Sequence, residues 1–292
     1  MTVESAERKN TWREHFPDGD LWVFGYGSLI WKSPPHFDRR VPGYINGYVR
    51  RFWQVCFFSL CFFASGDHRG TPESPGRVVT VIERSFWETL SDPQKDMESS
   101  VTSTVWGTAY HIPTSHAEEV HDYLDDREID GYTVHYTRFY PISSNPVAPG
   151  ANNFTNSAAP KSAIIDRTKR DLSCSASSPI TCMVYIGLPT NPRFLSDPTE
   201  RDPASVAQVI SISHGKSGKN MEYLYLLEKA LEGLGFGSAD GHVTELVRRV
   251  KAIEQGKTEA GEKKSSTKAF FLNAEVSRLL ETEPPEEFSD ND

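Results

Sequence analysis

Apolar positions come in short blocks or alternate with polar ones through the first half of the chain, and recur at helical spacing mainly in the last third. Leu21-Trp22-Val23-Phe24 is an apolar block broken by Gly25-Tyr26-Gly27-Ser28, which predicts a short buried strand followed by a turn. The aromatic and β-branched stretch from Gly43 to Gln54 predicts a second strand. GRVVTVIE (Gly76 to Glu83) predicts a third, and the alternating run Thr104 to Ile112 a fourth. A helix then follows. Ser115 with Glu118 three residues on fits a capping box, Val120, Tyr123 and Leu124 supply an apolar face, and Gly131 marks the stop. Tyr132 to Ile142 and Thr181 to Gly187 are two more strands. Pro203 to Ser213, Asn220 to Leu234 and His242 to Glu254 are helices. Strands first and helices later predict an α+β fold around a curved or barrel-like sheet.

The pattern lapses in four places. Residues 1–20 are polar and charged and predict a flexible N-terminal arm. Ser91 to Ser103 is polar and charged, with no sustained period. Ser143 to Pro179 is rich in Ser, Asn, Ala and Pro and predicts a disordered insertion. Residues 255–292 form a charged tail that ends in ETEPPEEFSDND. One folded unit over residues 21–254 is therefore expected.

Composition narrows the class. The formal net charge of −9 at pH 7 argues against nucleic acid or an anionic membrane as the partner. The N-terminus has no apolar run behind its charges, and the longest apolar run, Val55 to Ala64, is far short of the roughly 20 residues of a membrane helix. Cys56, Cys61, Cys174 and Cys182 have neither zinc-knuckle spacing nor the density of a disulfide framework. These features predict a cytoplasmic protein. The histidines form no H-E-x-x-H and no pair at i, i+4 that would ligate a metal, so no metal is expected.

Three places carry candidate chemistry. The two glycines of Gly25-Tyr26-Gly27-Ser28-Leu29, one residue apart after a strand, let main-chain N–H groups face a carboxylate or a developing oxyanion; the same pattern also serves as a simple tight turn. In the polar loop Asp67 to Glu73, Arg69 could hold a carboxylate in a fork or pair locally with Asp67. Glu128 falls at the C-terminal end of the predicted helix, near Asp125 and Asp126. The helix dipole and the neighbouring carboxylates there raise a carboxyl's pKa towards a useful general base. Gly215-Lys216-Ser217 is not a phosphate loop, because Ile210 stands where the motif needs glycine. A helix boundary is expected there instead.

Taken in order, WVFGYGSLIWK (Trp22 to Lys32), GYINGYVRRFWQ (Gly43 to Gln54), DHRGTPESPGRVVTV (Asp67 to Val81), VWGTAY (Val105 to Tyr110), YLDDREIDGY (Tyr123 to Tyr132), VYIGLPTNPRFL (Val184 to Leu195) and SGKNMEYL (Ser217 to Leu224) resemble the ChaC family of glutathione-specific γ-glutamylcyclotransferases. The resemblance implies a γ-glutamylcyclotransferase-like fold, a small barrel-like mixed β-sheet flanked by helices. It also implies cleavage of glutathione to 5-oxoproline and Cys-Gly without metal or cofactor. The substrate loop would be Tyr26, Gly27, Ser28 and Leu29, flanked by Gly25 and Ile30, with Arg69 as a further substrate contact. The catalytic glutamate would be Glu128. Activity on other γ-glutamyl amides, and a binding protein that keeps the fold, remain as alternatives. The sequence departs from the family pattern chiefly at VCFFSLCFFA (Val55 to Ala64), which stands between Gln54 and Ser65.

Overall fold

The structure is a computed structural model and describes residues 11–56, 69–98, 104–128, 131–142, 178–235 and 237–256. Its strands are β1 (Leu21–Gly25), β2 (Arg39–Asn46), β3 (Tyr48–Cys56), β4 (Gly76–Glu83), β5 (Thr104–Ile112), β6 (Thr133–Pro141), β7 (Ile180–Ile186), β8 (His214–Gly215) and β9 (Gly218–Lys219). Its helices are α1 (Arg84–Trp87), α2 (Thr114–Glu128), α3 (Pro203–Ile212), α4 (Asn220–Glu232) and α5 (241–256).

Strands β1, β5, β2, β6 and β7 close, in that order, into a barrel. Neighbours are antiparallel except where β7 meets β1 in parallel at Val23 and Met183, so the sheet is mixed. The interior is filled by residues that alternation puts on one face, among them Phe24, Ile45, Ala109 and Phe139, all buried. Two glycines make room for the large rings. Gly43 on β2 faces Gly107 on β5, and a Cβ on either would overlap the Phe139 or the Phe24 ring. Phe24 and Phe139 thus pack with centroids 5.6 Å apart in space that only paired glycines leave.

The β3–β4 pair forms a separate two-stranded sheet, and α3, α4 and α5 share its hydrophobic core through residues such as Ile210, Leu227 and Val247. Asn220, the first residue of α4, is fully buried. Its side chain accepts from Arg77 N (2.7 Å) and donates to Arg77 O (2.8 Å), so it pins the helix start to β4. Pro203 opens α3 behind Asp202, whose carboxylate accepts from Ala204 N at 2.8 Å.

The strand-rich barrel with flanking helices is as the sequence predicts; several details differ. The single strand expected over Gly43–Gln54 is two strands, split at Gly47, which sits at φ 85° and turns the chain from the barrel into the second sheet. The expected flexible arm is packed from residue 11 onward: Trp12 and Phe16 are buried in a cluster with Val120 and Leu124 of α2. Amphipathic spacing is invisible in so short a segment. Residues 91–98 are likewise tied down, because Asp92 accepts from Arg51 Nε and from Trp87 Nε1, both at 2.7 Å. A polar segment folds when its partners are buried polar groups, which composition does not reveal. Val55 and Cys56 belong to β3 and pair with Arg77 and Gly76, so the apolar insertion begins at residue 57 at the earliest. Residues 57–64 lie outside the described residues, as do 143–177 of the expected insertion and the tail from 257. The Gly215–Ser217 boundary is a hairpin of β8 and β9 ahead of α4. The capping box does not form: Glu118 pairs with Arg13 (3.0 Å), and Asp20 caps α2 instead, accepting from Thr114 N (2.9 Å) and Thr114 Oγ1 (2.7 Å). No helix among the described residues is long and apolar enough to cross a membrane.

Candidate active site

Where β1 ends at Gly25, the chain turns through Tyr26 and Gly27 into a single 3-10 turn, Ser28–Ile30. The turn lies across a pocket from the last residue of α2, Glu128. Tyr26, Gly27, Ser28, Leu29 and Glu128 all line this pocket, whose volume is about 350 Å³ counting its open mouth. The remaining walls are Phe24 and Val79, with Tyr132, Tyr185 and Tyr223. Among the described residues Glu128 is the one carboxylate in the lining, and none of them that lines the pocket is a lysine or an arginine.

Each wall has a local cause. A Cβ on Gly27 would sit 2.8 Å from Val79 Cγ2 and 3.1 Å from the Tyr223 hydroxyl, so glycine is what lets this main chain close on β4 and α4. Tyr223 is delivered one turn into α4, which Asn220 fixes to β4. Three phenol protons are already engaged. Tyr26 donates to Tyr185 O (2.7 Å), Tyr132 to Val79 O (2.8 Å) and Tyr185 to Asp125 Oδ1 (2.7 Å). Burial, reinforced by the Glu128 charge, pushes the pKa of all three phenols up, so they stay neutral; for Tyr185 the Asp125 carboxylate adds to the effect. A phenol that is neutral and already donating can only accept from a further partner.

Arg127 joins the two sides. Its Nη2 donates to Ser28 Oγ (2.8 Å) and its Nη1 to Lys32 O (3.2 Å), while Nε lies 3.2 Å from Glu128 Oε1. The two side chains are 12% and 17% exposed, enough for the carboxylate to meet a small molecule while most of it is shielded. The aspartates that the sequence places beside Glu128 are therefore not its only charged neighbours. A guanidinium stands against it as well.

Not every expected site residue reaches the pocket. Gly25 lies behind the turn, where a Cβ would meet Leu29 Cβ at 2.6 Å. Ile30 is buried with its N–H engaged by Gly27 O (3.0 Å). Arg69 is buried at the start of α4, its Nη1 on Lys219 O (3.2 Å) and 3.6 Å from Glu222 Oε2. Its guanidinium lies 5.9 Å from the Tyr223 ring centre, so it backs the wall rather than lining it. The three far tyrosines carry no signal of their own in the sequence. Tyr132 and Tyr223 stand inside the YLDDREIDGY and SGKNMEYL motifs and Tyr185 inside VYIGLPTNPRFL, but they come from separate elements and share no spacing.

A model of the ChaC-like protein family matches residues 21–253. The chain belongs to the ChaC-like family. Among its relatives, the glutathione-specific γ-glutamylcyclotransferase of Schizosaccharomyces pombe is 38% identical over 235 residues, which cover 80% of this chain and 94% of the relative. The Saccharomyces cerevisiae protein of the same name is 35% identical over 237 residues, 77% of this chain and 91% of the relative. A crystal structure of a yeast γ-glutamyl cyclotransferase specific to glutathione superposes with a TM-score of 0.60 at 30% identity, covering 80% of this chain and 96% of that one. The ChaC-like match opens with β1 and closes inside α5, so it takes in every element that lines the pocket.

Proposed function

We infer that this protein cyclises the γ-glutamyl group of glutathione, releasing 5-oxoproline and Cys-Gly, with Glu128 as general acid/base. The observation that carries the reading is the pairing, across one pocket, of the Glu128 carboxylate with the main chain of Tyr26 to Leu29. The names of the fungal relatives support glutathione as substrate.

The substrate carries its own nucleophile. Its α-amine, with a reference pKa near 8, is mostly an ammonium at neutral pH. Glu128 removes one proton, and the freed amine attacks the γ-carbonyl carbon. The new C–N bond closes a five-membered lactam. As the tetrahedral centre collapses, the bond to the cysteine nitrogen breaks and Glu128 returns its proton to that nitrogen; the ring nitrogen then gives up its second proton by way of Glu128, leaving a neutral lactam and a Cys-Gly ammonium. Protons and electrons balance without a co-reactant. Ring closure is intramolecular, so holding the amine against the carbonyl supplies much of the acceleration. The N–H groups that open the Ser28–Ile30 turn have no partner within the turn, because the turn's own bonds begin at Ile30 N. They suit the γ-carbonyl oxygen as negative charge develops on it. One such donor contributes about 3 kcal/mol in the transition state. The tyrosine oxygens, restricted to accepting, suit the substrate ammonium.

We place the reaction in the cytoplasm, where reduced glutathione is the ready substrate. The buried cysteines Cys56 and Cys182, neither of them in a disulfide, fit a reducing compartment. The test is turnover of reduced glutathione, oxidised glutathione and γ-Glu-Ala by the purified full chain, with release of 5-oxoproline measured, alongside Glu128→Gln. Reduced glutathione should be consumed. The variant should bind it within a few-fold of the parent while kcat falls by about 10²–10⁴, the usual share of a general acid/base. Turnover of γ-Glu-Ala but not glutathione would reassign the substrate, and a folded Glu128→Gln that keeps more than a tenth of kcat would remove Glu128 from the chemistry.

A further inference from the structure

Three side chains unconnected with the pocket converge on the outer face of α2. Glu119, on the second turn of the helix, holds one carboxylate oxygen 3.2 Å from His116 Nδ1 and the other 3.5 Å from His36 Nε2. His116 and Glu119 are three apart on one helix face. His36 comes from the 31–38 stretch that leads from the pocket turn to β2. The three donor atoms all lie within 4.8 Å of one another, and among the described residues no other group of His, Cys, Asp and Glu gathers in this way. We propose that His36, His116 and Glu119 form a binding site for a Zn²⁺-type transition-metal dication, with water in the fourth position and no part in the ring-closure chemistry.

The donor set and its size both fit. Imidazole and carboxylate bind Zn²⁺ at about 2.0–2.2 Å, so the edges of a tetrahedral site are about 3.3–3.5 Å. One of these edges is nearly met, Glu119 Oε2 to His116 Nδ1 at 3.2 Å; the 3.5 Å contact of His36 Nε2 runs to the other carboxylate oxygen, so a turn of the carboxylate brings a single oxygen to both imidazoles. The third edge needs one adjustment. The imidazoles stack with centroids 4.2 Å apart and planes 6° from parallel, so one ring must turn about χ2 to aim its lone pair at the shared point. His36 and Glu119 are exposed and His116 is partly so, which leaves room for that rotation. The contacts on Glu119 come from imidazoles, and an imidazole proton is what a metal displaces on binding. His36 is also the single non-glycine residue at positive φ (57°) among the described residues, a conformation that persists only where the surroundings impose it. The chain's net charge of −9 further favours a dication.

The position gives the site a consequence. Glu119 precedes Glu128 by nine residues, roughly 13 Å along the helix. The His36 stretch is already gripped at its other end by Arg127, through Lys32 O. A metal would clamp the same stretch to the first turns of α2, so the segment between pocket turn and β2 would be held to the helix at both ends.

The test uses the full chain, stripped with chelator and desalted, titrated with Zn²⁺ alone by calorimetry and followed by thermal melts with and without Zn²⁺. The His36→Ala/His116→Ala double variant is the comparison, since the difference between the two proteins isolates this site from Cys61, Cys174 and His68. The parent should bind one equivalent more than the double variant. Its Zn²⁺-dependent rise in Tm should disappear in the variant, whose metal-free melt and glutathione turnover stay at the parent's level. Co²⁺ bound to the parent should show ligand-field bands without a thiolate charge-transfer band. Equal stoichiometry and equal Tm rise in both proteins, no Zn²⁺ binding by the parent, or Co²⁺ spectra that are the same in the two proteins would each overturn the proposal.

Discussion

At the scale of single residues, Arg127 shows how the pocket keeps its two halves in register. Its guanidinium touches the Glu128 carboxylate, the Ser28 hydroxyl and the Lys32 carbonyl, all within 3.2 Å. Lysine offers one point charge and cannot span the three. If Glu128 works as proposed, Arg127→Ala should lower kcat/KM for glutathione by about 10²-fold, the scale of loss that a small misplacement of a reacting group produces. Arg127→Lys should recover only part of it. The loss should fall mainly on kcat; steady-state kinetics beside a thermal melt would separate it from any loss of fold stability. Equal kcat/KM in a folded Arg127→Ala would show that the carboxylate holds its place unaided. This residue also marks the limit of what the sequence made legible about the site. Glu128 and the Tyr26–Leu29 turn could be picked out because each sits in a compact motif. Tyr185 and Tyr223 could not, since what brings them to the same cavity is barrel closure and the docking of α4 on β4. Arg69 shows the converse: a motif arginine reads as a ligand contact, whereas in the structure it is buried against Tyr223 and outside the pocket lining.

At the scale of elements, β1 and β4 were legible nearly to the residue as short apolar runs, being buried along almost their whole length, and β5 was legible by its alternation. What alternation could not locate were junctions decided by distant partners. The start of α2 is one. Ser115 and Glu118 look like a capping box, yet the cap comes from Asp20, nearly a hundred residues upstream. The Asp20 carboxyl is held below its usual range by Thr114 first and His111 next. Asp20→Ala should therefore cost about 1 kcal/mol, the usual worth of an N-cap, or about 2–4 °C in Tm for a domain of this size. Asp20→Asn should retain most of it. Because the folded pKa is depressed, the stabilisation is complete above the unfolded carboxyl's pKa of about 4 and fades as pH falls through the lower folded value. Melts of parent and Asp20→Ala at pH 7 and pH 3 should therefore lie closer together at the lower pH. A constant gap would mean that Asp20 acts through packing rather than charge. The His36–His116–Glu119 cluster escaped sequence reading for the same reason as the cap: its first member lies eighty residues from the others.

At the scale of the whole molecule, the two sheets and the C-terminal helix are locked together by polar groups that no hydrophobic pattern predicts. Arg51 of β3 is fully buried and holds Asp92 (2.7 Å) and Glu98 (2.6 Å) from the polar segment. Arg50 reaches Asp240 at the head of α5 (2.8 Å). His242, on the first turn of α5, closes the set. Its Nε2 accepts from Phe52 N (3.0 Å), so its Nδ1 carries the proton and donates to Gln94 Oε1 (2.5 Å). Burial, followed by the charges of Arg51 and Arg50, holds its pKa well below the usual histidine value. Protonation would turn Nε2 into a donor facing another donor, beside two guanidinium groups. The folded state therefore keeps the imidazole neutral, while the unfolded chain takes up a proton below about pH 6.5. The unfolded state then binds more protons, so stability must fall as pH drops through that window, by about 1.4 kcal/mol per pH unit from this one group until the folded pKa is reached. His135, whose pKa burial also lowers, adds to the same window, so the parent alone does not isolate His242. His242→Gln does, because glutamine can accept from Phe52 N but does not titrate. The variant should be less stable at pH 7.5, by about 1–3 kcal/mol for an imperfectly replaced buried hydrogen bond, yet should lose less on going to pH 5.5. Urea unfolding of both proteins at pH 7.5, 6.5 and 5.5 would read the two slopes. Parallel lines would mean that His242 stays neutral in both states or charged in both, and that the junction between β3, the 91–98 segment and α5 is not what makes this fold sensitive to acid.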